Sequence, residues 1–260
     1  MLELIDKGSC SDAHPTPLLF VHGGWHAAWC WGDYFLDYFA DAGFRAVAVN
    51  LRGHGGSTLS KPLKSCSIAD YVEDVGTTAT MLGIDPVLIG HSMGGFVVQK
   101  YLEDRRAPAA VLMASMPSRA AQRTAVALRI MRRHPWVTVR AYTVGGPADL
   151  VNTPRLTREH FFSTHTPEPV VEACAARLQA ESSRAGGLFV LSKPERVTTP
   201  LLVLGGEDDR AVTNDQHSAT ARAYGTQAEF FPDMGHNMML EPGWQAVAER
   251  IDNWLGGQGL

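Results

Sequence analysis

Cysteine is scarce in this chain of 260 residues: only Cys10, Cys30, Cys66 and Cys174, all far apart. No C-x-x-C pair and no Cys/His spacing that suits zinc is present, so neither a disulfide framework nor a structural metal is expected. No apolar run reaches the roughly 18 residues of a membrane-spanning helix. The polar stretch from Met1 to Asp12 lacks the basic region and apolar run of a secretory leader. These absences lead to the expectation of a soluble, cytoplasmic protein without stable membrane insertion. Basic charge is not in excess either. The formal net charge is −4, whereas binding a phosphate backbone needs a concentrated basic surface, so nucleic acid is not an expected partner. Repeats and low-complexity tracts are missing, and no pattern specifies an oligomeric state.

What is present is globular. Hydrophobic residues make up 45% and charged residues 19%, enough apolar surface for one core and order nearly throughout. Short β-rich runs (Leu18 to His22, Ala46 to Leu51, Pro86 to Gly90, Ala109 to Ala114, Leu201 to Gly205 and Ala228 to Phe231) read as buried strands. Helical patterns separate them near Trp29 to Ala42, Ile68 to Leu82, Gly94 to Glu103, Thr213 to Tyr224 and Trp244 to Trp254. That alternation implies a parallel sheet covered on both faces. The rhythm breaks between Ser115 and Thr199, where Arg/Ala-rich helical segments and prolines replace strands. The division expected is a core of residues 1–114 and 197–260 with a helical cap inserted at 115–196. The cap segment holds twelve Lys/Arg against six Asp/Glu; an exposed arginine-rich helical face accounts for that more simply than an anionic ligand or a membrane.

The strongest chemical signal is Val87-Leu88-Ile89-Gly90-His91-Ser92-Met93-Gly94-Gly95, a strand, a G-x-S-x-G turn and a helix start. A sharp strand-to-helix turn pushes the serine into strained backbone space and tolerates only small residues on either side. The helix that follows points its first amides at a reacting carbonyl, which makes Met93 N–H one candidate oxyanion donor. The other is Gly24 N–H. It lies in His22-Gly23-Gly24-Trp25, where two glycines let the backbone approach a ligand closely. His22 itself reads as a structural histidine at a strand end.

Serine is a weak nucleophile until a base takes its proton, and the base needs a carboxylate to fix its tautomer. His236, in the turn Asp233-Met234-Gly235-His236-Asn237, supplies the base. The acidic turn Gly205-Gly206-Glu207-Asp208-Asp209 supplies the carboxylate, with Asp208 and Asp209 both available. The chain order Ser, Asp, His is thus present.

These motifs, spread from His22 to His236, resemble the α/β-hydrolase superfamily. The resemblance implies eight mostly parallel strands flanked by helices, with a helical lid after the sixth. It also implies that the acid lies in a G-x-x-D turn, which from Gly206 selects Asp209. Arg52-Gly53-His54-Gly55-Gly56-Ser57 resembles the family's loop after an early strand, where its role is structural. His22-Gly23-Gly24-Trp25-His26-Ala27-Ala28-Trp29-Cys30-Trp31 is similar to a segment of plant methylesterases and hydroxynitrile lyases. The lyases place threonine after the first histidine and lysine after the catalytic one; here Gly23 and Asn237 stand there, which favours ester hydrolysis.

The expectation is therefore a carboxylesterase-type serine hydrolase acting on a small or medium acyl ester through an acyl-enzyme, with Ser92, Asp209 and His236 as triad and with no metal or cofactor. A lactonase, thioesterase or carbon–carbon bond hydrolase of the same fold is the alternative, as is a non-catalytic receptor that retains the triad. Trp29 and Trp31 fall at helical spacing with Phe35, Tyr38 and Phe39 and read as core. Trp25 and the cap aromatics Trp136, Tyr142, Phe161 and Phe162 are the candidates for the substrate pocket, with the neighbouring arginines mostly facing solvent.

Overall fold

The apolar runs become strands of a single seven-stranded sheet, ordered β1-β3-β2-β4-β5-β6-β7. A computed structural model gives the backbone of residues 1–260 and describes every side chain except those of Tyr142 and Pro147. The strands are β1 (Leu4–Lys7), β2 (Leu18–Val21), β3 (Ala46–Val49), β4 (Val87–His91), β5 (Ala110–Met113), β6 (Leu201–Gly206) and β7 (Ala228–Phe231). All neighbours are parallel except β1, which runs antiparallel to β3. Parallel pairs need long crossovers, and helices supply them: α1 (Trp29–Gly32), α2 (Phe35–Asp41), α3 (Ile68–Leu82), α4 (Met93–Leu102), α5 (Ala120–Arg133), α6 (Pro135–Thr143), α7 (Pro154–Phe161), α8 (Glu168–Arg177), α9 (Asn214–Ala223) and α10 (Trp244–Gly257).

Alternate residues of each strand enter one of two cores. Leu18 and Phe20 face Trp31, Phe35 and Phe39, whereas Leu19 and Val21 face Tyr71, Phe96 and Val97. Trp31 is fully buried, in keeping with its reading as core. Helix α3 begins in a capping box between Ser67 and Asp70 and ends on Gly83 at φ 75°, the left-handed cap that glycine adopts without steric cost.

Two features depart from the expected pattern. Seven strands form rather than eight, and one of them, β1, arises from the polar N-terminal stretch. It is an edge strand, blunted by the ion pairs Lys7–Asp37 and Arg45–Asp6, and half-exposed edges lose the apolar alternation that marks a strand. The first helical pattern is broken in two at Asp33 and Tyr34, yet Trp31, Phe35 and Phe39 keep the i, i+4 spacing that buries them together.

Between β5 and β6 the chain leaves the sheet to form α5 to α8. Among the described residues no helix is long and apolar enough to cross a membrane. Arg132 and Arg140 are exposed, as an arginine-rich face requires, but Arg123 is not. It is fully buried, donates to the carbonyls of Pro117, Ser118, Gly187 and Val190, and lies 4.0 Å over the Phe96 ring. The planar guanidinium forks into carbonyl-lined loops that only the folded chain assembles. Burial lowers its pKa to about 10.

Candidate active site

In register, Val21 pairs with Gly90, His91 with Met113, Met113 with Leu204, and Gly206 with Phe231. The loops after β2, β4, β6 and β7 therefore leave the same rim of the sheet. Crevices at the carboxyl ends of parallel strands are where such sheets bind ligands.

Ser92 is the single residue between β4 and α4, at φ 51° and ψ −116°, a conformation costly for a residue with a Cβ. Its neighbours explain how the turn closes. A Cβ on Gly90 would lie 2.6 Å from the Gly94 carbonyl oxygen, and one on Gly94 would lie 2.3 Å from the Val21 oxygen. The bonds Ser92 N–H to Met113 O (3.1 Å) and Met116 N–H to Ser92 O (2.9 Å) hold the turn.

His236 Nε2 stands 2.8 Å from Ser92 Oγ, and His236 Nδ1 stands 2.8 Å from Asp209 Oδ2. The three side chains named from sequence thus form one hydrogen-bonded line. Asp209 Oδ1 accepts the N–H groups of Ala211 (2.8 Å) and Val212 (2.9 Å), and Oδ2 accepts a further bond from His217 Nε2 at 3.2 Å. Burial alone would raise the Asp209 pKa, but the charge of His236 and the hydrogen bonds of His217 and His236 outweigh it and hold the carboxyl ionised far below the usual range. Asp208 is exposed and joins no part of this line. His91, buried and driven well below its ordinary pKa by desolvation, donates from Nε2 to the His236 carbonyl at 3.0 Å. Glu241 fastens the histidine loop by accepting from Gly235 N–H (2.8 Å) and Ser163 N–H (2.6 Å).

The loop His22 to Trp25, the candidate oxyanion loop, is equally constrained. Gly23 O accepts from His22 Nδ1 at 2.8 Å and from His26 N–H at 3.3 Å. A planar trans peptide sets the Gly24 N–H opposite that carbonyl, so it points away from both histidines. Gly24 O accepts from His26 Nδ1 at 2.8 Å, and His26 Nε2 meets Asn237 Nδ2 at 3.0 Å. His26 is held neutral by burial, its pKa lowered to about 4, which leaves Nε2 free to accept from the Asn237 amide. Met93, the first residue of α4, has an N–H without an intrahelical partner. Two backbone donors of this kind can stabilise charge on a carbonyl oxygen attacked by Ser92.

Ser92, Met93, Gly24 and His236 open onto a cavity of about 150 Å³. Val126, Ala127, Ile130, Met131, Leu150 and Leu188 give it an apolar wall, and no Lys or Arg lies among its lining residues. Trp25 and Phe161 line it as well, their rings 6.1 Å apart. Phe162, the extended residue that follows α7, is buried in the same core cluster as Phe161 but is not among the residues that line the cavity. Trp136, expected at the pocket, is 84% exposed: it follows Pro135 in the first turn of α6 and faces solvent. Tyr142 lies outside the described side chains.

Sequence reasoning passed over His217 and a second buried cluster. Glu181, which lines the cavity, accepts from Tyr71 Oη at 2.8 Å and from its neighbour Ser182 N–H at 2.7 Å on Oε1. On Oε2 it meets His54 Nε2 at 3.2 Å and Trp25 N–H at 3.4 Å. Burial opposes a charge on His54, yet the bond and charge of Glu181 outweigh it and raise the His54 pKa. The only signal in the sequence was the loop Arg52 to Ser57, read there as structural.

Residues 18–250 match the Alpha/beta hydrolase family. The chain belongs to that family. Among its relatives, the bifunctional esterase/perhydrolase of Acinetobacter calcoaceticus is 34% identical over 107 residues, 39% of this chain and 38% of the relative. Protein phosphatase methylesterase 1 of Mus musculus is 39% identical over 84 residues, 31% of this chain and 22% of the relative. The match therefore spans less than half the length of either. Among solved structures, a thermophilic esterase from Thermogutta terrifontis superposes with a TM-score of 0.77 at 20% identity, over 100% of this chain and 94% of that one. The enol-lactonase from Burkholderia xenovorans LB400 gives 0.75 at 20% identity, over 98% and 96%. At such identities the likeness establishes the fold alone. Away from the cavity, the exposed groups His165, Asp208 and Asp233 bring their ligating atoms within 4.8 Å of one another, a grouping that their separation in sequence conceals.

Proposed function

We propose that the protein is a serine hydrolase that cleaves carboxylic esters of small, uncharged, apolar substrates through an acyl-enzyme on Ser92. The observation that carries this reading is the continuous line Ser92 Oγ, His236, Asp209, with 2.8 Å at each step, opening onto an apolar cavity. Ser92 Oγ attacks the ester carbon while His236 Nε2 takes its proton, and Asp209 stabilises the imidazolium so formed. The carbonyl oxygen gains the electron pair and rests on the Gly24 and Met93 N–H groups, each worth about 10²- to 10³-fold in rate. Collapse expels the alcohol with the proton from His236. Water, deprotonated by His236, then attacks the acyl carbon and releases the acid and Ser92.

Substrate size and charge follow from the lining. An apolar cavity of about 150 Å³ accommodates a group near the size of benzene, and a substrate carboxylate would find no cation there. The only acid in the lining, Glu181, is paired with His54. A fluorophosphonate probe should label Ser92, and p-nitrophenyl esters of short acids should be turned over by the protein but not by Ser92→Ala. Labelling at another serine, or near-normal turnover by that variant, overturns the reading; faster turnover of lactones or thioesters would move the substrate class.

A further inference from the structure

Trp25 is a non-glycine residue in the left-handed region, at φ 64°. A residue with a Cβ stays there only when its surroundings hold it. Both polar groups of its backbone are gripped by the inserted segment. Trp25 O accepts from Gln179 N–H at 2.8 Å, and Trp25 N–H donates to Glu181 Oε2 at 3.4 Å. The segment is itself tied to the sheet-side loops: Gly55 N–H donates to Gln179 Oε1 at 2.9 Å, and Ser182 Oγ donates to the Cys66 carbonyl at 2.6 Å.

We infer that Glu181 is a positioning residue for the oxyanion loop, holding Trp25 in its left-handed conformation and thereby aiming the Gly24 N–H at the seryl-bound carbonyl oxygen. The inference rests on the esterase reading of the site. Glu181 does not serve as a binding group for substrate, because both of its oxygens are already engaged: Oε1 accepts from Tyr71 and Ser182, and Oε2 accepts from Trp25 and lies 3.2 Å from His54 Nε2. Nor does it touch the reacting atoms. It acts through the peptide between Gly24 and Trp25, whose carbonyl is fixed by His26 Nδ1 at 2.8 Å and whose N–H is fixed by Glu181. With the carboxylate removed, Trp25 relaxes toward negative φ and the neighbouring peptide planes rotate with it, the Gly24 N–H among them. The insertion then sets turnover as well as specificity.

The test compares two ketones of the same acyl chain. A trifluoromethyl ketone adds Ser92 Oγ to its carbonyl carbon, passes the proton to His236 and places an oxyanion in the site; the methyl ketone binds without reacting. In Glu181→Ala, kcat should fall about 10- to 100-fold, within the range for loss of one oxyanion donor. KM and methyl-ketone affinity should stay within about two-fold while trifluoromethyl-ketone affinity falls in step with kcat. Glu181→Gln, which keeps one acceptor oxygen for the Trp25 N–H, should lose less. Unchanged kcat in Glu181→Ala overturns the inference, and so does an equal loss of affinity for both ketones, the mark of a merely structural role. A wild-type protein that hydrolyses no ester and binds neither ketone overturns the esterase reading itself, a result distinct from either of these.

Discussion

His217 shares Asp209 with His236: its Nε2 lies 3.2 Å from Oδ2, the same oxygen that takes His236 Nδ1 at 2.8 Å. The carboxylate is thereby met by four donors, and removing His217 leaves three. His217→Leu should lower kcat by about ten-fold. Asp209→Asn, which presents the wrong partner to Nδ1, should lower it by about 10⁴-fold. Asp208→Asn should remain within about two-fold of wild type, since that side chain points away from the line. Steady-state kinetics on one ester ranks the three, and a larger effect at Asp208 would transfer the acid's role there.

Chain-length preference should respond to Ile130 and Phe161, which border the cavity, and ignore Trp136, which is solvent-facing. Each buried methylene contributes about 0.8 kcal/mol, close to four-fold in kcat/KM. Ile130→Ala and Phe161→Ala should shift the optimum toward longer acids across a series from acetate to octanoate, with probe labelling of Ser92 retained. A profile that shifts only in Trp136→Ala would place the acyl site elsewhere.

Arg123 should matter to stability although it lies outside the proposed chemistry. Its replacement by Met strands buried carbonyls, each costing about 1–3 kcal/mol when left without a donor. A net loss on the order of 3 kcal/mol is expected after relaxation, which for a domain of this size lowers Tm by roughly 6 to 12 °C. Calorimetry showing an unchanged Tm for Arg123→Met would mean that the loops at 117–118 and 187–190 do not depend on it.

Acid should destabilise the fold in a defined window. Desolvation lowers His26 and His160 to about 4, against about 6.5 in an unfolded chain. Between those values the unfolded state binds more protons, so stability is complete above about pH 6.5 and declines as pH falls toward 4, by up to about 1.4 kcal/mol per pH unit for each group. Urea titrations across that range should show the slope, and His160→Leu should flatten it. An equal slope in that variant would assign the acid sensitivity to other groups.

The parts of this molecule legible in its sequence are those where backbone geometry dictates residue type. Gly90 and Gly94 must lack side chains for Ser92 to stand between strand and helix, and the buried parallel strands must be apolar on both faces. Asp209 and Asp208 are alike in residue type; the family's G-x-x-D turn selects Asp209, and the turn after β6 buries Asp209 and leaves Asp208 exposed. His217 reads as an ordinary polar residue of a helix, and Glu181 lies 127 positions from His54 in sequence, so their roles exist only after the chain has closed. Arg123 misled for the opposite reason: charge in a helical pattern signals solvent unless carbonyls converge on it, and those carbonyls come from loops without a sequence signature. Phe161 and Phe162 are identical neighbours in one buried cluster, and only the closed fold brings Phe161 alone to the cavity wall.

The placement of the insertion between β5 and β6 has a bearing on how this scaffold diversifies. Those strands are hydrogen-bonded neighbours, with Met113 opposite Leu204, and two parallel strands can be joined only by a detour of a dozen residues or more. The region that walls the cavity thus occupies a bridge that the topology demands in any case. Outright excision would unlink β5 from β6, whereas exchange for another bridge of different length and lining would keep the strand order, provided that it supplied an acceptor for the Trp25 N–H in place of Glu181. A new lining is therefore compatible with the same strand ends only where the bridge also carries the contacts that the loops at the rim now take from it.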